Sequence, residues 1–387
     1  MDFKLTDEQL AVSEAAGGLF SGLLDAEKIA AVEAGTERID RGLWKALADA
    51  DLLGLAIPEA DAGAGYGLME LCLLLEAQGN AVAPVPLWST LVLGALPLAR
   101  FGSETQRGRW LPGVVAGEVI LTAALTGSAN SPTSMPAVRA SAGAGAGAAA
   151  DGWLLHGTEL AVPQAHLADR IVLPARTEDG RVLLALLDPA APGVTLERAA
   201  TTNREIHPHL HLDGVTLAPG DVLIGPELGR AALDFTLVAA TIALCALQVG
   251  VCEAALTTTA AYLNTRQQFG RPLSTFQGTM LRAADAAIDI EAMRVTWQNA
   301  AWRFDSGRDA ADAARVAKWQ ASERGQRAVH ATQHLHGGMG ADISYPIHRY
   351  FLWGKQIELL LGGPSAQLAK LGADITEQAL ARAEATS

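Results

Sequence analysis

Apolar residues along this chain change their spacing twice. Up to about residue 116, and again from about residue 228, they recur three and four positions apart, as on one face of an α-helix. Between those points, short apolar runs are separated by glycine, proline and aspartate, which is typical of strands joined by tight turns. The pattern predicts an α+β fold that is mostly α-helical. We expect a helical, a β and a second helical domain, with bounds at 1–116, 117–227 and 228–387.

The predicted amino-terminal domain contains a glycine-rich stretch between helices. Helices are predicted to begin after Thr6, near Trp44 and at Leu68. The stretch Pro58–Gly67 resembles a dinucleotide-binding fingerprint in its glycine content. That fingerprint needs a preceding strand and an acidic residue about 20 positions later within a βαβ unit. Because this context is absent, we do not expect a phosphate-binding loop here.

The middle region predicts an antiparallel sheet or a small barrel. Its apolar runs are short and regularly interrupted. The runs are Val119–Leu121, Trp153–Leu155, Arg170–Leu173, Val182–Leu187, His209–Leu212 and Val222–Ile224. A low-complexity tract of glycine and alanine, 143–150, is expected to form an extended hairpin tip.

Long helical patterns return after Gly229 and predict a carboxyl-terminal four-helix bundle. The helices are expected at about 231–266, 276–305, 309–337 and 343–361, and a shorter terminal helix follows. The longest uncharged run lies between Asp234 and Glu253 and nearly reaches the roughly 20 residues of a membrane span. Polar residues interrupt this run and no basic cluster flanks it. A helix buried in the bundle is therefore favoured, and no membrane span is predicted.

Composition and charge narrow the class of protein. Hydrophobic residues make up 50% of the chain, alanine is abundant and aromatics are only 5%, which favours closely packed helices. The formal charge of −13 argues against nucleic-acid binding, which needs a basic surface. The charged amino terminus lacks the apolar core of a secretory signal. Three cysteines without paired spacing are expected to be buried, reduced thiols in a cytoplasmic protein: Cys72, Cys245 and Cys252.

Two segments of the carboxyl-terminal domain could carry chemistry. Arg266 is predicted at the end of a long helix, where its forked donors could bind a phosphate or could simply complement the helix dipole. The glycines Gly337, Gly338 and Gly340 could let the backbone approach a ligand closely or could cap a helix. These residues by themselves leave both alternatives open.

The same two segments, Tyr262–Gln277 and Gln333–Arg349, resemble the flavin-binding segments of the acyl-CoA dehydrogenase family. Less specific similarity extends over nearly the whole chain, through 2–9, 44–58 and 110–118. In this family the corresponding segments reach across a dimer interface to an FAD molecule seated mainly in the neighbouring subunit. The resemblance implies contacts to FAD pyrophosphate or adenine from six residues, here named the clamp residues: Arg266, Phe269, Gln277, Gln333, Gly337 and Gly338.

The resemblance also reveals a missing base. Family members carry a catalytic glutamate at the position of Gly362 or, in some members, at that of Ala240, and neither residue has a carboxylate. The reaction removes a proton α to a thioester while hydride leaves the β-carbon for the flavin, and a positioned base contributes about 10²–10⁴-fold. Glu358 lies one helical turn earlier, at a spacing that better suits a surface position. We therefore assign no catalytic residue to this chain.

The segments expected to hold the flavin ring are altered as well. Leu125–Asn130 stands where a Thr-Glu-Pro-like stretch is common, and Ala161–Pro163 replaces a Trp-Ile-Thr-like stretch. The losses fall on the chain's own pocket, whereas the features that serve a neighbour's flavin are kept. The resemblance therefore implies an α2β2 heterotetramer in which a related subunit supplies the glutamate, and this chain is inactive alone.

Two-gene enzymes of this type resemble those of actinobacterial steroid side-chain breakdown. The expected substrate is an acyl-CoA thioester, a steroid side-chain ester being one candidate, and the expected electron acceptor is electron-transfer flavoprotein. Two other functions stay open. A flavin monooxygenase on the same fold also lacks the glutamate, but it commonly uses reduced FMN and has no adenylate for Arg266 to hold. A non-catalytic subunit could instead stabilise a related dehydrogenase.

Histidine spacing offers two metal alternatives. His207, His209 and His211 alternate along a predicted strand and, with Asp213, could share one face. His330 and His334 lie four positions apart on a predicted helix. A polar strand face explains the first pattern and a helix-face or flavin contact explains the second, so no metal site is predicted.

Overall fold

The computed structural model describes residues 3–131, 134–142 and 152–384, so the tract 143–150 that is predicted to be a hairpin tip lies outside the described residues. The first part of the chain is helical. Its helices are α1 (Asp7–Leu23), α2 (Ala26–Ala34), α3 (Arg41–Asp49), α4 (Leu68–Ala81), α5 (Leu96–Phe101), which continues a π-helical segment (Trp88–Ala95), and α6 (Glu104–Val115). The predicted start of α1 is confirmed, because the side chains of Thr6 and Gln9 each accept a hydrogen bond from the other's backbone N–H.

Helix α4 begins on a carboxylate from a distant part of the chain. Asp305 accepts hydrogen bonds from the backbone N–H groups of Leu68 (2.8 Å) and Met69 (2.9 Å). A Cβ at Gly67 would lie 2.7 Å from the Asp305 carboxyl group, so only glycine leaves room for this cap. The glycine-rich stretch 58–67 thus precedes a helix end that does hold an anion, but the anion is a side chain of the same protein.

The middle of the chain forms a curled sheet with one short helix, α7 (Thr126–Asn130). The strands in its described part are β1 (Leu121–Ala123), β2 (Arg139–Ala142), β3 (Trp153–Glu159), β4 (Arg170–Thr177), β5 (Val182–Leu187), β6 (Val194–Glu197), β7 (His209–Leu217) and β8 (Val222–Ile224). The order across the sheet is β6–β7–β3–β2–β4–β5–β8, and β1 pairs with β4.

This sheet differs from the sequence-based expectation in two ways. It is mixed, because β1 and β2 both run parallel to β4 whereas the remaining pairs are antiparallel. Strands β2 and β6 are also absent from the prediction. Neither contains a continuous apolar run, since β2 is built from arginine, alanine and serine and β6 is half exposed.

The carboxyl-terminal part is a helical bundle, as predicted. Its helices are α8 (Gly229–Thr265), α9 (Gln277–Asp305), α10 (Ala311–Leu335), α11 (Ile347–Leu359) and α12 (Pro364–Glu384), and a small hairpin of β9 (Gln267–Gln268) and β10 (Arg271–Pro272) joins α8 to α9. The prediction of a shorter terminal helix was wrong, because α12 spans 21 residues and α11 only 13. Alanine, leucine, glutamate and glutamine are strong helix formers and favour the extension of α12.

The first and last helical regions share one hydrophobic core, and a second core lies within the sheet region. Helix α4 packs closely along α8 through two glycines. A Cβ at Gly250 would lie 1.9 Å from Glu76 O, and one at Gly79 would lie 2.2 Å from Leu247 O. Helix α8 is long and apolar enough to cross a membrane, but 78% of its most apolar window is buried inside the protein. The prediction of a buried core helix is confirmed, and the three cysteines are likewise buried and free.

Candidate functional site

The two segments that carry clamp residues meet at one edge of the bundle. Helix α8 ends before Arg266, whose N–H donates to Tyr262 O (2.8 Å). The ring of Tyr262 stacks on His336 at a centroid distance of 4.6 Å, and His336 directly precedes Gly337. Contact between the ends of α8 and α10 therefore brings Arg266 and the Gly337–Gly338 turn close together.

The Arg266 side chain is exposed at this edge. Its backbone carbonyl accepts from Leu273 N–H (2.9 Å) across the β9–β10 hairpin. Within the described part of the chain, no hydrogen bond or ion pair engages its guanidinium. The main chain is thus held in place while the forked N–H donors have no partner among the described residues, which suits a phosphate oxygen.

The hairpin and the start of α9 present an aromatic ring and an uncapped helix end. Phe269 is 92% exposed and has a φ of +53°, a rare conformation for a bulky residue. Its ring contacts Phe276 at 6.2 Å, and Arg271 lies over the Phe276 ring at 4.1 Å. Gln277 is exposed as the first residue of α9, where no side chain caps the helix. The positive end of the helix dipole there favours an anion.

Gly337 and Gly338 are exposed in the turn Gly337–Ala341, which follows α10. Gly337 has a φ of +57°, and a Cβ at either glycine would meet nothing within 4 Å, so their outer faces are open. This edge combines an unengaged guanidinium, an open glycine backbone, an uncapped helix start and an exposed ring. These groups fit the pyrophosphate and adenine of a dinucleotide such as FAD.

Gln333 lies within the glycine turn instead of on its outer face. Its Nε2 donates to Gly340 O, and its Oε1 is buried without a hydrogen-bond partner. Gln333 thus holds the turn against the end of α10, and its direct contact with a cofactor stays a prediction. The neighbouring His334 is exposed. Sequence reasoning did not count His334 among the clamp residues, although it favoured a helix-face or flavin contact over metal binding for the pair His330 and His334.

At both positions expected for a base, neighbouring groups occupy the space that a longer side chain would need. Ala240 is fully buried, and the indole N–H of Trp88 donates to its carbonyl (3.2 Å). Gly362 has a φ of +95°, and a Cβ there would lie 3.2 Å from Gln367 Nε2. The same Gln367 amide donates to Leu361 O (2.8 Å) and to Gly362 O (3.2 Å). A longer side chain at position 362 would therefore meet both an unfavourable backbone conformation and a filled space.

Glu358, the nearest carboxylate in sequence, is engaged elsewhere. It forms an ion pair with Lys355 and its side chain is 13% exposed. The backbone carbonyls of Ile357 and Glu358 accept from the fully buried ammonium group of Lys318 at 2.8 and 3.1 Å. Burial lowers the pKa of Lys318 to about 8. A lysine thus caps the end of α11, and the ion pair leaves the Glu358 carboxylate poorly suited to act as a base.

Hydrogen bonds within this chain occupy the segment that is expected to hold a flavin ring. Glu159, at the end of β3, is fully buried and accepts from Gly127 N–H in α7 (2.9 Å). A Cβ at Gly127 would lie 2.6 Å from Glu159 Oε1, so the carboxyl group fills the space beneath α7. Burial raises the pKa of Glu159 to about 7. In the next loop, Ala161 N–H donates to His209 Nδ1 (3.0 Å). Sequence reasoning missed Glu159, because one polar residue at the end of a strand gives no signal.

A cavity of about 220 Å³ is lined by Leu361, Gln367 and Lys370, near the end of α11. Ligand and cofactor pockets commonly span about 300–1,000 Å³. Lys370 of α12 donates to Ala129 O and so ties α12 to α7 at the wall of this cavity. The described side chains therefore leave little room for a flavin ring together with an acyl thioester.

The histidine spacing does not assemble a metal site within the described residues. His207 contacts Glu205 at 3.2 Å, and His211 contacts Glu197 at 3.0 Å. His209 Nδ1 accepts from the main-chain N–H of Ala161. Across the described ranges, no three histidine, cysteine, aspartate or glutamate side chains come together in a group that could hold a metal ion.

Comparison with known proteins agrees with this geometry. Residues 6–118 match the family model for the acyl-CoA dehydrogenase N-terminal domain, and residues 229–375 match that for the C-terminal domain. Acyl-CoA dehydrogenase FadE27 of Mycobacterium tuberculosis is 36% identical over 97% of this chain and 99% of its own length. A chain of the ChsE4–ChsE5 complex from the same species is 35% identical, with a TM-score of 0.89 and coverage of 97% and 99%. A chain of the Tcur3481–Tcur3483 steroid ACAD G363A variant is 46% identical, with the same TM-score and coverage. Since both family domains, a full-length relative and the fold agree, this chain belongs to the acyl-CoA dehydrogenase family.

Proposed function

We propose that this chain is the base-free subunit of a heteromeric, FAD-dependent acyl-CoA dehydrogenase. One observation carries the proposal, namely an asymmetry between two sites of the same chain. The clamp edge is open and its arginine is unengaged, whereas both base positions and the ring segment are closed by internal contacts. Such a chain can help to hold a cofactor for a neighbour but lacks the groups to run the reaction alone. Its similarity to chains of the ChsE4–ChsE5 complex and of the Tcur3481–Tcur3483 steroid ACAD supports the proposal.

In the proposed complex, the clamp residues bind the nucleotide end of a cofactor that lies mainly in the partner. When bound, FAD supplies the acceptor for the hydride that leaves the substrate β-carbon. Arg266 neutralises pyrophosphate charge with paired N–H donors. The start of α9 at Gln277 adds the positive end of its dipole, and the two glycines allow close approach of the backbone. The exposed ring of Phe269 offers a face on which adenine can stack.

An exposed apolar stripe on α9 supports assembly with a partner. Met280, Leu281, Ile288 and Val295 are each between 43% and 65% exposed, and three of them recur every seven residues on one helix face. Contiguous apolar surface of this kind marks interaction sites on soluble proteins. The stripe begins within one turn of Gln277 and is therefore continuous with the clamp edge. We propose that the stripe is covered in an α2β2 heterotetramer.

The proposed substrate is an acyl-CoA thioester, with the base and most of the acyl pocket belonging to the partner. A steroid side-chain CoA ester is the candidate suggested by the similarity to a chain of a steroid ACAD. We further propose electron-transfer flavoprotein as the electron acceptor. A cytoplasmic location is proposed because the three cysteines are free and buried.

Purification with and without a related dehydrogenase subunit encoded beside this chain's gene tests the proposal. We expect the chain alone to carry little flavin and to lack dehydrogenase activity. The co-expressed complex should carry one FAD for each pair of unlike subunits and should oxidise acyl-CoA. Full flavin loading and activity of the lone chain would contradict the proposal, whereas oxygen uptake with reduced FMN would favour the monooxygenase alternative.

Replacing Arg266 by alanine in that complex tests the clamp directly. The change removes charge-assisted hydrogen bonds worth about 1.5–3 kcal/mol, so FAD affinity should fall by about 10–100-fold. The number of subunits in the complex should stay unchanged. Arg308→Ala removes another exposed arginine, at the far end of α9, and should leave FAD affinity unchanged. If Arg266→Ala keeps its flavin but disrupts assembly, the scaffold alternative is supported instead.

A further inference from the structure

Three aromatic rings beneath the clamp come from three separate segments. Tyr262 lies in the last turn of α8, His336 directly follows α10, and Tyr345 comes after the glycine turn. Ring centroids are 4.6 Å apart for Tyr262 and His336, 5.2 Å for His336 and Tyr345, and 6.2 Å for Tyr262 and Tyr345. His336 is nearly inaccessible, at 2% exposed. The cluster therefore joins the end of α8 to the turn that carries Gly337.

The central imidazole is held in one orientation and one charge state. His336 Nδ1 lies 2.8 Å from Thr332 O, and because a carbonyl only accepts, Nδ1 carries the proton. His336 Nε2 is buried and has no hydrogen-bond partner in the described part of the chain, so it carries only a lone pair in the neutral ring. Burial lowers the pKa of His336, which keeps the ring neutral at pH 7. A neutral ring lying at 25° to the Tyr262 plane packs as an aromatic pair.

Tyr262 also contacts the main chain on both sides of the clamp. Its hydroxyl donates to His336 O at 3.5 Å, and its own carbonyl accepts from Arg266 N–H at 2.8 Å. The peptide group between His336 and Gly337 is planar, so the direction of the His336 carbonyl sets the direction of the Gly337 N–H on the opposite side. The ring and hydroxyl of Tyr262 thus join the last turn of α8, which leads into Arg266, to the peptide that precedes Gly337.

We infer that Tyr262 and His336 are positioning residues of the clamp: they do not contact the cofactor, and they hold Arg266 and the Gly337 N–H at a fixed separation for one pyrophosphate group. The inference rests on the proposed function, because it requires the clamp to bind FAD. Without the ring pair, the ends of α8 and α10 would have to be ordered when FAD binds, which weakens binding.

Substitutions of His336 in the complex with the partner subunit test the inference, with the FAD dissociation constant measured by flavin fluorescence. His336→Leu removes the ring pair but keeps a similar apolar volume, and we expect FAD binding to weaken about 10-fold. His336→Phe restores an aromatic ring and should stay within about threefold of the wild-type affinity. A residue with only a general structural role would not show this dependence on an aromatic ring.

Phe304→Leu is the control, because Phe304 at the far end of α9 also packs against an aromatic ring, that of Phe235, at 4.9 Å. It should leave FAD affinity unchanged, and affinities are compared well below the melting temperature of each flavin-free complex. Wild-type affinity in His336→Leu would overturn the inference, as would an equal loss in His336→Phe. If Arg266→Ala binds FAD normally, the proposed function itself fails, so the two failures are distinguishable.

Discussion

At position 362 the missing carboxylate is accompanied by a backbone that disfavours any side chain. Gly362 has a φ of +95°, and the preceding Leu361 has a φ of +58°. We predict that Gly362→Glu lowers the free energy of unfolding by about 1–3 kcal/mol, because a non-glycine residue is strained there. We also predict no dehydrogenase activity of the lone variant chain, since Gln367 fills the adjacent space. Urea unfolding and an acyl-CoA oxidation assay measure the two effects.

A second glycine provides the control for this substitution. Gly372 lies within α12, where a Cβ would meet nothing within 4 Å. Gly372→Ala should therefore raise stability by about 0.5–1 kcal/mol, as expected for a glycine inside a helix. Acyl-CoA oxidation by the lone Gly362→Glu chain would show that its own site is open, contrary to the contacts described here.

Among the elements, α2, α11 and the loop between β6 and β7 meet at one carboxylate. Glu33 of α2 accepts from Arg349 of α11 at 3.0 and 3.3 Å and from Arg204 of the loop at 2.7 Å. The side chain of Arg349 is only 7% exposed. Glu33→Ala leaves this buried cation without its partner, so we predict a loss of about 3–5 kcal/mol in the free energy of unfolding, measured in urea.

Glu37→Ala is the matched comparison for this ion pair. Glu37 lies four residues further on and pairs with Arg41, and both side chains are about half exposed. Because exposed pairs contribute little, the loss should be below about 1 kcal/mol. Equal losses in the two variants would mean that burial of Arg349 does not make the Glu33 contact special.

For the whole molecule, buried carboxyl groups and a buried lysine predict an unusual dependence of stability on pH. Burial raises the pKa of Glu159 from 4.5 to about 7 and lowers that of Lys318 from 10.5 to about 8. Between pH 4.5 and 7, the folded chain keeps a proton on Glu159 that the unfolded chain has lost, so stability falls as pH rises. Between pH 8 and 10.5, the unfolded chain keeps a proton on Lys318 that the folded chain has lost, so stability rises with pH. Burial also raises the pKa of Glu76 to about 7, which adds to the fall on the acidic side. Together these groups predict a minimum in the free energy of unfolding between about pH 7 and 8.

Urea unfolding measured from pH 5 to 9 checks this profile, because above pH 9 the three buried cysteines oppose the effect of Lys318. Each group should change the free energy of unfolding by about 3 kcal/mol over its range, since one pKa unit corresponds to about 1.4 kcal/mol. Glu159→Gln should remove about half of the acidic slope, because burial also raises the pKa of Glu76 to about 7. Lys318→Met should remove the rise between pH 8 and 9, below the range in which unfolded cysteines lose their protons. If the free energy of unfolding of Glu159→Gln keeps the full dependence on pH below 7, groups other than Glu159 cause that dependence.

Local patterns were sufficient for several features of this protein. The α1 cap at Thr6, the strands Val182–Leu187 and Val222–Ile224, and the end of the long helix just before Arg266 all agree with the sequence-based expectation. Each depends on side chains within a few positions of one another. Apolar periodicity, turn residues and caps act over such distances, so the chain order alone is enough to predict them.

Other features depend on segments that are far apart in the chain. The Asp305 cap on α4 joins residues 237 positions apart, and Glu159 reaches Gly127 across 32 positions. Likewise, the inward direction of Gln333 depends on how the turn folds back onto α10. No pattern within one segment specifies such pairs, because they form only when helices and strands pack.

The sequence by itself determined the order of helical and β regions, the acidic charge and the lack of a carboxylate at positions 240 and 362. Only the tertiary structure decided that Trp88 and Gln367 close those two positions while the guanidinium of Arg266 stays open to solvent. The physical reason is that the space and the hydrogen-bond partners around a residue are supplied by packing, and packing brings together parts of the chain that lie far apart along it.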